Sequence, residues 1–289
     1  MGFVAFFTDP LSYVFIQRGL VAAILLGVVC AIMGTFVVLK GLAFIGDAVS
    51  HAAFPGVVIA FIGGFPIYLG GAVAAVATAL LIGFVSRRSR LRLDTSVGVL
   101  FAGAFALGIL LYSTIKSYAG DLLGYLLGNI LGIGFGDLVQ VAVLGALVIA
   151  IVVSIRKELL FATFDPLGAA ASGLPVSMLE YLLLGLLGVT IIVSIQAVGI
   201  VLVVAMLVTP AATAQLLVVR FERVMLVAVV LAAASAVAGL YGSFYLNVPS
   251  GPAIVLIETV LFAVALAFGP RTGLLASRFG RVAGSSLAG

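Results

Sequence analysis

GLAFIGDAVSHAAFPGVVIAFIGG, from Gly41 to Gly64, is apolar enough to cross a membrane, yet it holds Asp47 and the sole histidine of the chain, His51. About 20 apolar residues in helical form span a hydrocarbon core of about 30 Å. Residues four apart share a helix face, so a carboxylate and an imidazole project from one wall of this segment. An Asp near a bilayer centre costs roughly 2.5–3.5 kcal/mol on insertion scales, which makes such residues functional candidates. Pro55 and Gly56 follow at once and predict a break in the helix. Interrupted helices with binding groups near the midplane are a recurring device of transporters.

The rest of the chain has the same character. Of the 289 residues, 64% are hydrophobic and only 8% charged, with a mean hydropathy of +1.42. A soluble domain carries about 25% charged residues. The expected fold is therefore all-α, a polytopic transmembrane bundle of eight or nine helices. It forms one domain over residues 1–270, followed by a basic tail at 271–289. The net charge of +4 fits the Lys and Arg surplus of cytoplasmic loops rather than a nucleic-acid partner. Cys30 stands alone, so neither a disulfide framework nor a thiolate cluster is expected. The N-terminus lacks a basic region and a cleavage site, which argues against a cleaved signal peptide.

Apolar runs between polar breaks predict spans near Tyr13–Leu39, Leu42–Ile62, Ile67–Val85, Thr95–Thr114, Phe135–Ile155, Met178–Ile195, Gly199–Val219, Val224–Tyr245 and Pro252–Phe268. Between the fourth and fifth, glycine recurs at 120, 124, 128, 132 and 136, a small-residue stripe that allows close packing of a short or re-entrant helix. Arg87, Arg88, Arg90 and Arg92 form one basic cluster, Arg156 and Lys157 a second, Arg220 and Arg223 a third, and Arg271, Arg278 and Arg281 a fourth. Two long helices separate each cluster from the next, so all four fit one cytoplasmic side. Nine spans leave the N-terminus outside; Arg18 favours eight and a cytoplasmic N-terminus. With nine, a rise of 1.5 Å per residue puts Asp47 roughly 8 Å and His51 roughly 14 Å into the membrane.

Asp47 and His51 offer a hard oxygen and a borderline nitrogen, a combination suited to Mn(II), Fe(II) or Zn(II). Two ligands do not close a site, but a twofold homodimer supplies four. The alternative is a buried Asp–His hydrogen bond that joins two helices. A second feature is RKELLFATFDPLGAAASGLPVSMLE, where Asp165 and Pro166 have the form of an N-cap and first helical position. A short helix from Leu167 to Ser172 would end at Gly173. Third, Thr209-Pro210 lies inside a span, where proline removes a backbone hydrogen bond; Thr209 and Gln215 offer polar atoms there, for pore lining or bundle packing. Glu258 lies deep in the last span, as a pathway carboxylate or paired with a polar group, whereas Glu180 is interfacial. Asp121 and Asp137 are expected to be solvated on the outer face. No phosphate loop, HExxH or GxSxG motif occurs, so neither ATP binding by this chain nor hydrolase chemistry is expected.

Four blocks in order resemble the membrane permeases of manganese/zinc/iron ABC importers. They are GTFVVLKGLAFIGDAVSHAAFPGV (Gly34–Val57), LLGYLLGNIL (Leu122–Leu131), KELLFATFDPLGAAASGLP (Lys157–Pro175) and GIVLVVAMLVTPAATAQLL (Gly199–Leu217). The resemblance implies a permease similar in plan to those for vitamin B12 and siderophores. It also implies metal coordination by Asp47 and His51. Within a coupling segment 157–175, the FDPLGAAASGLP block (Phe164–Pro175) would be the coupling helix, with Phe164, Asp165, Pro166, Leu167, Gly173, Leu174 and Pro175 at the ATPase interface. The implied partners are a second copy of the chain, two ABC ATPase subunits and an extracellular metal-binding lipoprotein, all at the cell membrane. The metal (Mn, Zn or Fe) would be cargo, with no tightly bound cofactor, and ATP hydrolysis would belong to the separate subunit. The runner-up is a stand-alone, ion-coupled metal carrier or channel.

Overall fold

The structure, a computed structural model, describes residues 8–89, 91–115 and 130–269. Arg90, Lys116, Asp121, the glycines at 120, 124 and 128 and the tail at 271–289 lie outside the described residues. Within them the long elements are all helical. The helices are α1 Val14–Leu39, α2 Ile45–Ala52, α3 Phe54–Gly63, α4 Ile67–Ser89, α5 Leu93–Ser113, α6 Phe135–Ser154, α7 Arg156–Phe164, α8 Pro166–Ala171, α9 Val176–Val198, α10 Ile200–Leu217, α11 Phe221–Leu246 and α12 Ser250–Phe268. With α2 and α3 taken as one crossing, nine helical segments of the described residues are long and apolar enough to span a membrane. Lipid offers the backbone no hydrogen-bond partners, so a spanning chain must satisfy its own N–H and C=O groups, and helices do so. Among the described residues the nine-helix alternative fits, since the run containing Arg18 is a helix of 26 residues that is long and apolar enough to span.

The break expected at Pro55 is slight. Ala53 separates α2 from α3, yet its dihedrals (φ −69°, ψ −23°) are helical, and Val57 N donates to Ala53 O at 3.1 Å. Proline is tolerated here because it occupies the first turn of α3, where its missing N–H has no partner to lose. α10 likewise runs through Pro210 as one helix.

Helix α1 is the core element, buried almost continuously from Ala22 to Val37 and packed against α6, α9, α10 and α11. Small residues bring backbones together around it. A Cβ at Gly34 would strike the Leu207 carbonyl, and Gly46 of α2 also abuts the Leu207 side chain, so α10 nests against both α1 and α2. Gly56 and Gly70 oppose each other on α3 and α4, each backed by an alanine one turn on. Close approach of this kind is how helices associate where lipid is as apolar as their side chains. By contrast α5, α6 and α12 leave most of their surface open.

All described basic residues except Arg18 sit at one end of the bundle, where α1, α4, α6 and α10 finish and α5, α7, α9 and α11 start. The same end holds α7 and α8. The charged segment before Asp165, which the sequence left unassigned, is the helix α7, joined to α11 by Arg156–Glu222 at 3.5 Å.

Candidate metal site and coupling surface

Helix α2 is nearly enclosed. Ile45, Gly46, Ala48, Val49, Ser50 and Ala52 are buried, while Phe44, Asp47 and His51 stay open. These three share one face at i, i+3 and i+7, so the two ionisable groups occupy the open stripe of a membrane helix. Asp47 Oδ1 lies 3.4 Å from His51 Nε2, with the side chains 46% and 30% exposed. Two ligand atoms about 2.1 Å from one ion stand about 3.0 Å apart at 90° and about 3.4 Å apart at 109°. The spacing fits adjacent ligands of one divalent ion, as it fits an i, i+4 acid–imidazole pair without one.

The imidazole is held by aromatic rings from the neighbouring helix α5. Phe101 and Phe105 lie 5.7 and 5.2 Å from it, centre to centre, and stack on each other. Gly108 admits this packing, since a Cβ there would meet Phe54 and Pro55 at the α2–α3 joint. His51 Nδ1 is buried without a hydrogen-bond partner. Nε2 is thus the ring nitrogen presented to a ligand. No third His, Cys, Asp or Glu joins the pair among the described residues, so one protomer offers two protein side chains of these kinds to an ion.

The other candidates lie elsewhere. Glu258 is buried with both carboxylate oxygens unpartnered. It stands on α12, which packs against α10 and α11, whereas α2 packs against α4, α5, α9 and α10. Thr209 accepts the Thr213 hydroxyl through its carbonyl. Gln215 lines a cavity of about 320 Å³ together with Thr35 and Phe164, near the basic end rather than beside His51. Asp137 is less solvated than expected: it accepts from Gly134 N at 3.1 Å and from Gln196 Nε2 at 3.3 Å, capping α6 and joining it to α9.

Segment 157–175 holds most of α7 and all of α8. Asp165 Oδ1 accepts from Gly168 N at 2.8 Å, so it caps α8 as the sequence suggests, with Pro166 in first position. At the far end Gly173 takes φ +83°, while Gly173 N and Leu174 N donate to Ala170 O and Ala169 O at 3.0 Å each. These caps fix α8 with Phe164 and Leu167 pointing outward, 65% and 83% exposed. Ala169 beneath them is buried, and Leu174 and Pro175 lead into α9. Phe161 and Val219 extend the exposed apolar surface. Sequence reasoning did not foresee α7 as a helix or the Phe101–Phe105 wall. The i, i+4 spacing of the two phenylalanines was visible, but not the helix they would face.

Nine candidate spans among the described residues, with nearly all the described basic residues gathered at one end, make this a multi-pass membrane protein. The chain belongs to the ABC 3 transport family, which matches residues 12–269. It is 45% identical to the "Manganese transport system membrane protein MntC" of Halalkalibacterium halodurans over 270 residues, covering 93% of this chain and 92% of the relative. It is 40% identical to the "Chelated iron transport system membrane protein YfeD" of Yersinia pestis, covering 90% and 88%. Among solved structures, PsaBC from Streptococcus pneumoniae in complex with Fab superposes with a TM-score of 0.82 at 34% identity, covering 96% of this chain and 100% of that one.

Proposed function

We propose that this chain is the permease subunit of an ATP-driven importer of divalent transition-metal ions, Mn(II) or Fe(II) first among them. The observation that carries the reading is the Asp47–His51 pair, 3.4 Å apart on the open stripe of an otherwise buried membrane helix. The names of the manganese and iron relatives support the choice of cargo.

Two chains related by a twofold axis would place two such pairs on one pathway. Their four ligands, two of them anionic, balance a divalent charge. The open stripe supports this arrangement, because it gives the carboxylate a face other than lipid. An extracellular binding protein would deliver the ion. At the basic end, taken as cytoplasmic, the surface of Phe164, Asp165, Pro166, Leu167, Gly173, Leu174 and Pro175 would seat in the ATPase subunit. Closure of the ATPase pair on ATP then moves α7 and α8 and turns the pair from one side of the membrane to the other. Glu258, Thr209 and Gln215 remain candidate pathway groups.

The test is uptake of radioactive Mn(II) by cells carrying the whole transporter. Asp47→Ala and His51→Ala should each abolish uptake, about a hundredfold or more by loss of a metal ligand, while the complex still assembles. Wild-type uptake in either variant would sink the site. Uptake by the purified chain without ATPase or ATP would instead make it a stand-alone carrier or channel. Competition by Fe(II) and Zn(II) in the same assay ranks the cargo.

A further inference from the structure

Three helices meet on one carboxylate at the basic end of the bundle. Glu180, near the start of α9, accepts from Arg87 Nη1 at 2.9 Å and from Lys40 Nζ at 3.5 Å. Arg87 belongs to the last turn of α4, and its guanidinium also lies 6.0 Å from the centre of the Tyr181 ring. Lys40 closes α1. The Lys40 and Glu180 side chains are 17% and 24% exposed, so this is not a solvated surface pair of negligible worth.

The cluster connects the two working parts of the chain. On one side, Glu180 follows α8 through the Gly173–Pro175 turn, so a displacement of α8 pulls on the start of α9. On the other, Lys40 leads through Gly41, whose φ of +68° makes a tight turn, directly into α2 with Asp47 and His51. Arg87 holds Glu180 at the shorter distance against α4, which packs along α9. Lys40, a point charge on a flexible stem, holds it at the longer one. A cavity of about 130 Å³ separates Lys40 and Glu180 from Leu159 and Thr163 of α7 and Pro166 of α8. The coupling element has room to shift toward the pair.

We propose that Glu180 is the joint through which motion of α8 reaches the metal helix, acting as a positioning residue through Lys40. This inference rests on the transport function proposed above. It makes α2 respond to the ATPase by a charged contact in addition to apolar packing. A coupling claim of this kind requires a shared element that both sites bias and a double-mutant cycle to demonstrate it.

The experiment uses the whole complex in liposomes, with Mn(II) as cargo, and reads ATP hydrolysis and Mn(II) uptake on the same preparation. Glu180→Gln should leave hydrolysis within about twofold of wild type and lower Mn(II) carried per ATP about tenfold, within the span of coupling free energies. Lys40→Met, which keeps the aliphatic stem, should act in the same direction. The double variant should be no worse than Glu180→Gln alone, because both changes remove one contact. Should Glu180→Gln fail to assemble, Lys40→Met carries the same expectation. Wild-type transport per ATP in Lys40→Met, a parallel fall of hydrolysis and uptake, or losses that multiply in the double variant would each overturn the proposal. Failure of the metal site reads differently: Asp47→Ala would then transport normally while Glu180→Gln still lowered the ratio.

Discussion

Gly173 closes α8 at φ +83°, and nothing lies within 4 Å of the Cβ that an alanine would add. The cost of Gly173→Ala is therefore conformational alone, about 1–2 kcal/mol for an L residue held in the left-handed region. That is a factor of about 5–30 in the ratio of closed to open turn. At 6 residues, α8 is too short to persist without caps, since isolated helices below about 12 residues are marginal. Opening this turn releases the hydrogen bonds to Ala169 O and Ala170 O and with them the placement of Leu167. The dissociation constant of the ATPase subunit for the permease in nanodiscs should rise by up to about 5–30-fold, the population factor itself. Gly173→Asn should recover most of the loss, because asparagine tolerates this region. Gly64→Ala is the control: Gly64 has φ +70° and equally open surroundings but ends α3, away from α8. It should lower thermal stability comparably and leave the dissociation constant alone. Binding by Gly173→Ala within about twofold of wild type, a shift of under about 0.5 kcal/mol, would refute the reasoning. So would an equal loss of binding in Gly64→Ala.

Two further outcomes are expected. Phe105→Ala, which strips the nearest ring from His51, should raise the Mn(II) concentration for half-maximal uptake about tenfold, as loss of a support behind a metal ligand does; Phe105→Leu should do less. Gly56→Val drives a Cβ into the Gly70 carbonyl and Ala74 and should cost about 1–3 kcal/mol of stability by overpacking, read as a lower midpoint of thermal unfolding. Gly98→Val, in open space on α5, should leave that midpoint unchanged.

What was legible in the sequence follows from what lipid demands. A spanning segment must be helical and apolar, so hydropathy located each span to within a few residues. The cap at Asp165, the proline after it and the turn at Gly173 were also readable, because caps are local chemistry. Tertiary pairing was not. Nothing in the order of residues places Phe105 beside His51, or Lys40 and Arg87 on Glu180, since each partner lies on a separate helix and is chosen by packing. Pro55 marked its joint correctly, since the helix divides at Ala53 just before it. What the sequence did not show was how slight the division is, because the first turn of α3 has no need of the N–H that proline lacks.

The positions of Asp47 and His51 also bear on why the site is incomplete. Were both groups enclosed within one protomer, like Ser50 beside them, the ion would have to be buried by one chain and released by the same chain. In the proposed dimer each protomer would contribute half from its open stripe, and small movements between chains would change the number of ligands an ion feels. Loss of even one of four ligands weakens an ion's hold far more than a strained angle would, because the contributions are discrete bonds. A shift of α2 relative to its copy would then suffice to release the ion, without unfolding any part of the helix. The short connection from Lys40 through Gly41 is suited to such a shift. Such a shift would move α2 as a body and keep the 3.4 Å spacing of Asp47 and His51, so that in the proposed dimer each half-site would stay intact while the whole site opened.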